Sequence, residues 1–197
     1  MKNGIEIALT NIEKSYGDNC VIDGFSANIS ESTALMGASG KGKTTLARII
    51  AGIESADSGE VKTSRRVRIS FVFQEDRLFE DFCAVDNVSA AVKHVSGTQA
   101  KKRAAELLEA LLIPPSEHKK AVGDFSGGMK RRVAIARALA SEYDVLILDE
   151  PYKGLDVQTR AVCADVIRKY TEDKLVILIT HDEEEASLTG IGNVISI

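Results

Sequence analysis

The chain has 197 residues, a formal net charge of −4, 44% hydrophobic and 27% charged side chains. That composition excludes a disordered chain and a membrane-embedded one, and 197 residues suit a single domain with one continuous core. The acidic balance argues against a nucleic-acid surface, and the longest apolar runs, Val145 to Leu148 and Leu175 to Ile179, fall far short of the ~20 residues that span a bilayer.

Met1 to Thr10 alternates polar and apolar residues without the basic, apolar and small-residue succession of a secretory signal, so the chain is expected to stay in the cytoplasm. Ile5 to Leu9 and Ser26 to Ile29 read as strands flanking the turn residues Tyr16 to Asn19, an antiparallel opening. Thr33 to Met36 is a short apolar strand entering a glycine-rich turn, followed by a helix from Lys43 to Ala51 that stops at Gly52. Arg68 to Phe73 reads as a further strand. After Gln74 the pattern turns helical, with helices expected over Ala84 to His94 and Gln99 to Leu112, the second ended by Pro114-Pro115. Asp76 to about Phe125 is therefore expected to be a helical lobe inserted into a parallel sheet. Ser126 caps a helix reaching Ala140, Val145 to Leu148 is a strand, Val157 to Tyr170 a helix and Val176 to Ile179 a strand. This alternation defines an α/β fold: a mainly parallel sheet with helices on both faces and an antiparallel N-terminal β part.

Gly37-Ala38-Ser39-Gly40-Lys41-Gly42-Lys43-Thr44-Thr45 matches GxxxxGK[ST] and stands between a strand and a helix, the context a P-loop requires. Successive backbone N–H groups would wrap phosphates there, Lys43 would neutralise their charge and the Thr44 hydroxyl would hold Mg²⁺. Val145 to Leu148 delivers Asp149 and Glu150 to the carboxyl end of a strand, where ligands bind in open α/β sheets. Asp149 suits Mg²⁺ and Glu150 the polarisation of an attacking water. The strand ending at Ile179 brings His181 to the same edge, and Gln74 closes a third strand with an amide able to bond both metal and water. Ser126-Gly127-Gly128 opens a helix 21 positions before Asp149, counted from Gly128, and makes a second anion site of bare N–H groups and a hydroxyl.

In this order the motifs resemble the nucleotide-binding subunits of ABC transporters: the P-loop, Gln74, a signature at Phe125 to Met129, Asp149-Glu150, a D-loop at Gly154-Leu155-Asp156, and His181. The resemblance implies a P-loop NTPase core of one domain, residues 1–197, that binds and hydrolyses ATP with Mg²⁺. It further implies a head-to-tail homodimer in which Ser126, Gly127 and Gly128 of one copy close on ATP held by Lys43 of the other, with Asp156 aligning the two sites. Tyr16 matches the residue that stacks on adenine in that family, though an ordinary turn tyrosine fits the position too. The implied partners are a transmembrane permease subunit and, indirectly, a solute-binding protein, with no nucleic acid. The implied place is peripheral, on the inner face of the cell membrane. Phe73 to Leu78 together with Met129 resembles the nitrate, sulfonate and taurine import branch, and Glu150-Pro151-Tyr152 resembles the EPF form seen in importers. An exporter subunit and a non-transport soluble ABC ATPase are the alternatives. Leu78, Phe79 and Phe82 either line a groove for the permease or belong to the lobe core.

The remaining features read as ordinary. Cys20, Cys83 and Cys163 lack metal-ligand spacing and are expected to be buried or half-buried, Lys130 to Arg132 and Glu183 to Glu185 to be solvated helix faces, and His94 and His118 to have no evident partner.

Overall fold

The computed structural model describes residues 4–197, so the reading of Met1 to Asn3 lies outside the described residues. Two compact units make up the chain, the first from Phe71 and the described residues before it, Tyr143–Asp149 and Asp173–Ile197, the second from Val72–Glu142 and Glu150–Glu172.

In the first unit β1 (Ile7–Tyr16) and β2 (Asn19–Ile29) form the expected hairpin, turning at Gly17, whose φ of 58° suits glycine. Both strands are longer than the alternation suggested. β1 also pairs antiparallel with β4 (Ser58–Thr63), a strand that sequence reading missed, giving the order β2-β1-β4. Only Val61 of β4 is even half-buried, so no apolar alternation marks it.

The second sheet runs β5-β6-β7-β3-β8, from β5 (Ile69–Val72), β6 (Val145–Asp149), β7 (Leu175–Ile179), β3 (Thr33–Met36) and β8 (Asn193–Ser196), with β6, β7, β3 and β8 successively parallel. Every residue of β6 and β7 is buried. Each such Val, Leu or Ile contributes about 1.5 to 3 kcal/mol, which is why these continuous apolar runs are the most legible strands in the chain. β8 is an edge strand that sequence reading also missed, because its burial merely alternates between half-buried and exposed. Helix α1 (Lys43–Ile50) buries Leu46, Ala47, Ile49 and Ile50 in the core shared with Ile7, Leu35, Ile147 and Ile177.

The second unit holds α2 (Ala84–Ser89), α3 (Gly97–Ala110), α4 (Gly127–Ala140) and α5 (Val157–Tyr170). α2 is half the length expected from Ala84 to His94, and the chain beyond it reaches φ 59° at His94. α3 starts two residues early because Ser96 and Gln99 form a capping box. Helices α4 and α5 have the expected bounds, capped by Ser126 and Asp156. A short helix, α6 (Glu183–Leu188), follows β7 in the first unit. Among the described residues no helix is long and apolar enough to cross a membrane.

Candidate functional site

Parallel pairing aligns three strand ends. Asp149 of β6 lies opposite Ile179 of β7, and Ile179 lies opposite Leu35 of β3. Register therefore brings Asp149, His181 just past β7 and the loop from Gly37 to one edge of the sheet. Asp149 is only 1% exposed, whereas His181 is exposed.

The loop after β3 is shaped by glycine. Gly40 and Gly42 have φ of 82° and 81°, and a Cβ on Gly42 would stand 2.7 Å from the Val21 carbonyl oxygen. Gly42 is the N-cap of α1 and no side chain caps that helix, so the first-turn N–H groups face the loop without a side-chain acceptor. Lys43 is 9% exposed and folds back, its Nζ donating to the carbonyls of Gly37 at 2.7 Å and Ala38 at 2.9 Å. Thr44 and Thr45 are half-buried, and Ala38, Ser39, Gly40 and Lys41 are exposed. Bare helix amides, a desolvated ammonium and an exposed rim suit a polyphosphate.

Tyr16 ends β1, 49% exposed, and its hydroxyl donates to Glu54. That bond raises the phenol pKa above its ordinary value, burial adds to the rise, and a hydrogen bond from Thr45 opposes it. Lys14 Nζ sits 5.6 Å from the ring centroid. The aromatic face is thus tied to the start of α1, next to the phosphate-binding candidates.

Within the second unit Gln74 and Glu150 meet: Gln74 Nε2 donates to Glu150 Oε2 at 3.1 Å. Lys153 Nζ lies 3.3 Å from the same oxygen. Glu150 has φ 46°, a conformation rare outside glycine, held where the chain turns so that the Lys153 amide donates to the Glu150 carbonyl. Ser126 Oγ accepts from the Met129 amide at 3.3 Å. Gly127 is exposed, and a Cβ on Gly128 would sit 3.4 Å from Leu155 Cδ2 and 3.5 Å from the Gly154 carbonyl oxygen, which brings the signature turn against the 154–156 loop. Asp156 accepts from the Thr159 amide at 3.0 Å and the Thr159 hydroxyl at 2.7 Å; these bonds hold its carboxyl below the usual range.

No group of three or more His, Cys, Asp or Glu side chains able to hold a metal occurs among the described residues. One hydroxyl at Thr44 and one buried carboxylate at Asp149 instead fit Mg²⁺, which keeps several waters and uses one or two carboxylates beside substrate phosphates.

Several readings are corrected. Arg131 is 5% exposed rather than solvated: it bonds the Phe73 and Gln74 carbonyls and pairs with Asp76. The signal was its place on the 131/135/138 stripe with buried Ile135 and Ala138. Arg132 likewise reaches back to the Gly128, Leu111 and Leu112 carbonyls. Glu185 is buried and accepts from the Thr180 hydroxyl at 2.6 Å. His118 is buried with Nε2 3.0 Å from the Ile113 carbonyl oxygen, and His94 pairs with Glu142 at 3.9 Å. Cys20 is exposed. Phe79 and Phe82, 59% and 57% exposed in a T-shaped pair, do not belong to the lobe core.

A P-loop between β3 and α1, with Asp149 and His181 at the ends of neighbouring parallel strands, defines a P-loop nucleotide-binding cassette. The ABC transporter family matches residues 23–153, and the chain belongs to that family. It is 39% identical over 181 residues to an aliphatic sulfonates import ATP-binding protein of Corynebacterium glutamicum, covering 89% of this chain and 73% of the relative. Against a sulfate/thiosulfate import ATP-binding protein of Rhizobium meliloti it is 36% identical over 201 residues, covering 92% of this chain and 54% of the relative, so the chain spans about half that relative's length. The dimeric structure of MJ0796, a bacterial ABC transporter cassette, superposes with a TM-score of 0.86 at 30% identity, over 97% of this chain and 94% of that one. A post-hydrolysis state of the same cassette bound to ADP and Pi also gives 0.86, at 29% identity.

Proposed function

We propose that this chain is the ATP-binding and ATP-hydrolysing subunit of an ABC importer, working with a separate transmembrane permease and, through it, a solute-binding protein. The observation that carries this reading is the shared register of β6, β7 and β3, which puts Asp149, His181 and the Gly37 to Thr45 loop at one sheet edge. Membership of the ABC transporter family and the import names of the relatives support it.

In this reading the α1 amides and Lys43 bind the phosphates, and Lys43 leaves its two carbonyls to do so. Tyr16 stacks on the adenine. Mg²⁺, when bound, offsets phosphate charge, with Thr44, Asp149 and Gln74 as its protein donors. Glu150 accepts the proton of the attacking water, Gln74 orients that water, and His181 contacts the terminal phosphate. Ser126, Gly127 and Gly128 of a second copy close on the same phosphates, so head-to-tail dimerisation follows ATP binding and its loss follows hydrolysis. Asp156, fixed as an N-cap, holds the loop that aligns the two sites. The helical lobe over 76–125 presents Phe79 and Phe82 to the permease. The solute class is that of the nitrate, sulfonate and taurine importers, supported by Met129, the Gln74 segment and the Corynebacterium relative. Its place is the inner face of the membrane.

The test is release of phosphate from Mg-ATP by the purified chain and by Glu150→Gln. Turnover in the former and its loss, with ATP binding retained, in the latter support the assignment. Equal turnover in both refutes the role of Glu150, and none in either under tight ATP binding refutes the ATPase.

A further inference from the structure

Gln74 is set by more than its own strand. Beyond β5 two arginines of α4 take up the carbonyls of Phe73, Gln74, Asp76 and Arg77. Arg131 Nη1 donates to the Phe73 carbonyl at 2.7 Å and its Nη2 to the Gln74 carbonyl, while its Nε lies 3.2 Å from Asp76 Oδ1. Arg137 continues the pattern, donating to the Asp76 carbonyl at 3.0 Å and the Arg77 carbonyl at 2.8 Å. A planar guanidinium suits two neighbouring carbonyls; an ammonium presents its donors from one point. A guanidinium this deep needs every one of those partners, since leaving it unpaired costs several kcal/mol. Burial pushes the Asp76 carboxyl up from its ordinary value, and the Arg131 charge opposes that rise most strongly. The segment carrying Gln74 is therefore strapped to one helix. That helix begins at the signature turn: Ser126 caps it, and Arg131 follows five residues on, about 7.5 Å along the axis.

We propose that Arg131 is a positioning residue for hydrolysis, fixing the Gln74 backbone so that its amide stays on Glu150 and coupling that contact to the helix that opens with Ser126-Gly127-Gly128. The proposal rests on the roles given above to Gln74 and Glu150. The role given to Arg131 is indirect: its hydrogen-bond and ion-pair partners are Phe73, Gln74 and Asp76, and it acts through Gln74. A shift of α4 when a second copy closes on the signature would then move Gln74 in concert, so that the water is oriented only in the closed pair.

A double-mutant cycle between Arg131→Met and Gln74→Ala tests this, reading kcat and the Kd for Mg-ATP on the purified chain. Arg131→Met should lower kcat by about 10- to 100-fold, as displaced catalytic groups do, with Kd within about threefold. In a Gln74→Ala background the same change should cost less than about threefold, because the group it positions is gone. Arg131→Lys, keeping the charge but not the fork, should recover only part of kcat. An unchanged kcat, or an equal loss on both backgrounds, overturns the proposal. If Arg131→Met fails to fold through its orphaned acid, Arg131→Met/Asp76→Leu removes both partners and the same cycle is run on it. A wild-type chain that binds ATP without turnover would overturn the ATPase reading and this proposal together. An active wild type with additive losses would overturn this proposal alone.

Discussion

Replacing Lys43 with alanine should weaken ATP binding by about 30- to 1000-fold, a size that follows from where its ammonium sits. The side chain is 9% exposed, so much of its desolvation is already met in the folded chain. A unit charge about 4 Å from a phosphate at an effective dielectric near 20 is worth about 4 kcal/mol. Against this stand the two bonds to Gly37 and Ala38, at 2.7 and 2.9 Å, that Lys43 gives up on binding. At a net value of about 1 kcal/mol each they offset up to half of the attraction. The remaining loss, about 2 to 4 kcal/mol, corresponds to a Kd raised about 30- to 1000-fold. Titration calorimetry with Mg-ATP measures it directly, and thermal melting supplies the control. Ligand at about 100 times the wild-type Kd should stabilise the wild type by about 2.7 kcal/mol and Lys43→Ala by less than about 1 kcal/mol. A Kd within threefold of wild type, in a variant that melts normally without nucleotide, would refute the placement of phosphate on this loop.

Two further predictions concern the same unit. Tyr16→Ala should raise the Kd for Mg-ATP about 10- to 100-fold, the usual worth of a base stacked on an aromatic ring, while Tyr16→Phe keeps the ring and most of the affinity; equal affinities for all three chains would leave Tyr16 a turn residue tied to Glu54. Asp144 accepts from the Arg68 amide at 2.9 Å and from the Arg68 and Arg65 guanidinium groups. Burial alone would raise its carboxyl, yet those bonds outweigh it and hold the pKa below the ordinary value. A depressed folded pKa gives stability that is complete above the unfolded value near 3.9 and is lost as pH falls through the folded one. Asp144→Asn should therefore cost about 1.5 kcal/mol in urea melts from pH 5 to 8, the low end for charge-assisted bonds because both arginines are half exposed. The gap should close on acidification below about pH 4, and a constant gap down to pH 3 would contradict the cause given.

What the sequence revealed tracks how strongly each element is buried. β3 ends just before Gly37, and α4 and α5 begin at a serine cap and an aspartate cap. The strand cores of β6 and β7 are apolar runs with no rival reading. β4 and β8 were invisible because they owe their place to backbone pairing with β1 and β3, and no alternation of their side chains announces it. At the site, the P-loop and the acids after β6 were legible because their residue types and spacing carry the chemistry. The supports were not. Arg131 and Glu185 stand inside charged runs that look solvated, and only the packing of α4 and α6 turns each inward. Lys153, beside Glu150, is an ordinary lysine until the turn at Glu150 brings its ammonium to the carboxylate.

The central claim, that two copies share each ATP, is tested most directly by the mass of Glu150→Gln in solution with and without Mg-ATP, by light scattering after gel filtration. Glu150→Gln keeps the Gln74 neighbourhood but lacks the base, so the closed pair should accumulate: a monomer without nucleotide and a dimer with it, abolished by adding Ser126→Arg at the exposed signature turn. A species that binds Mg-ATP tightly and keeps a monomer's mass at every concentration tried would contradict the shared site.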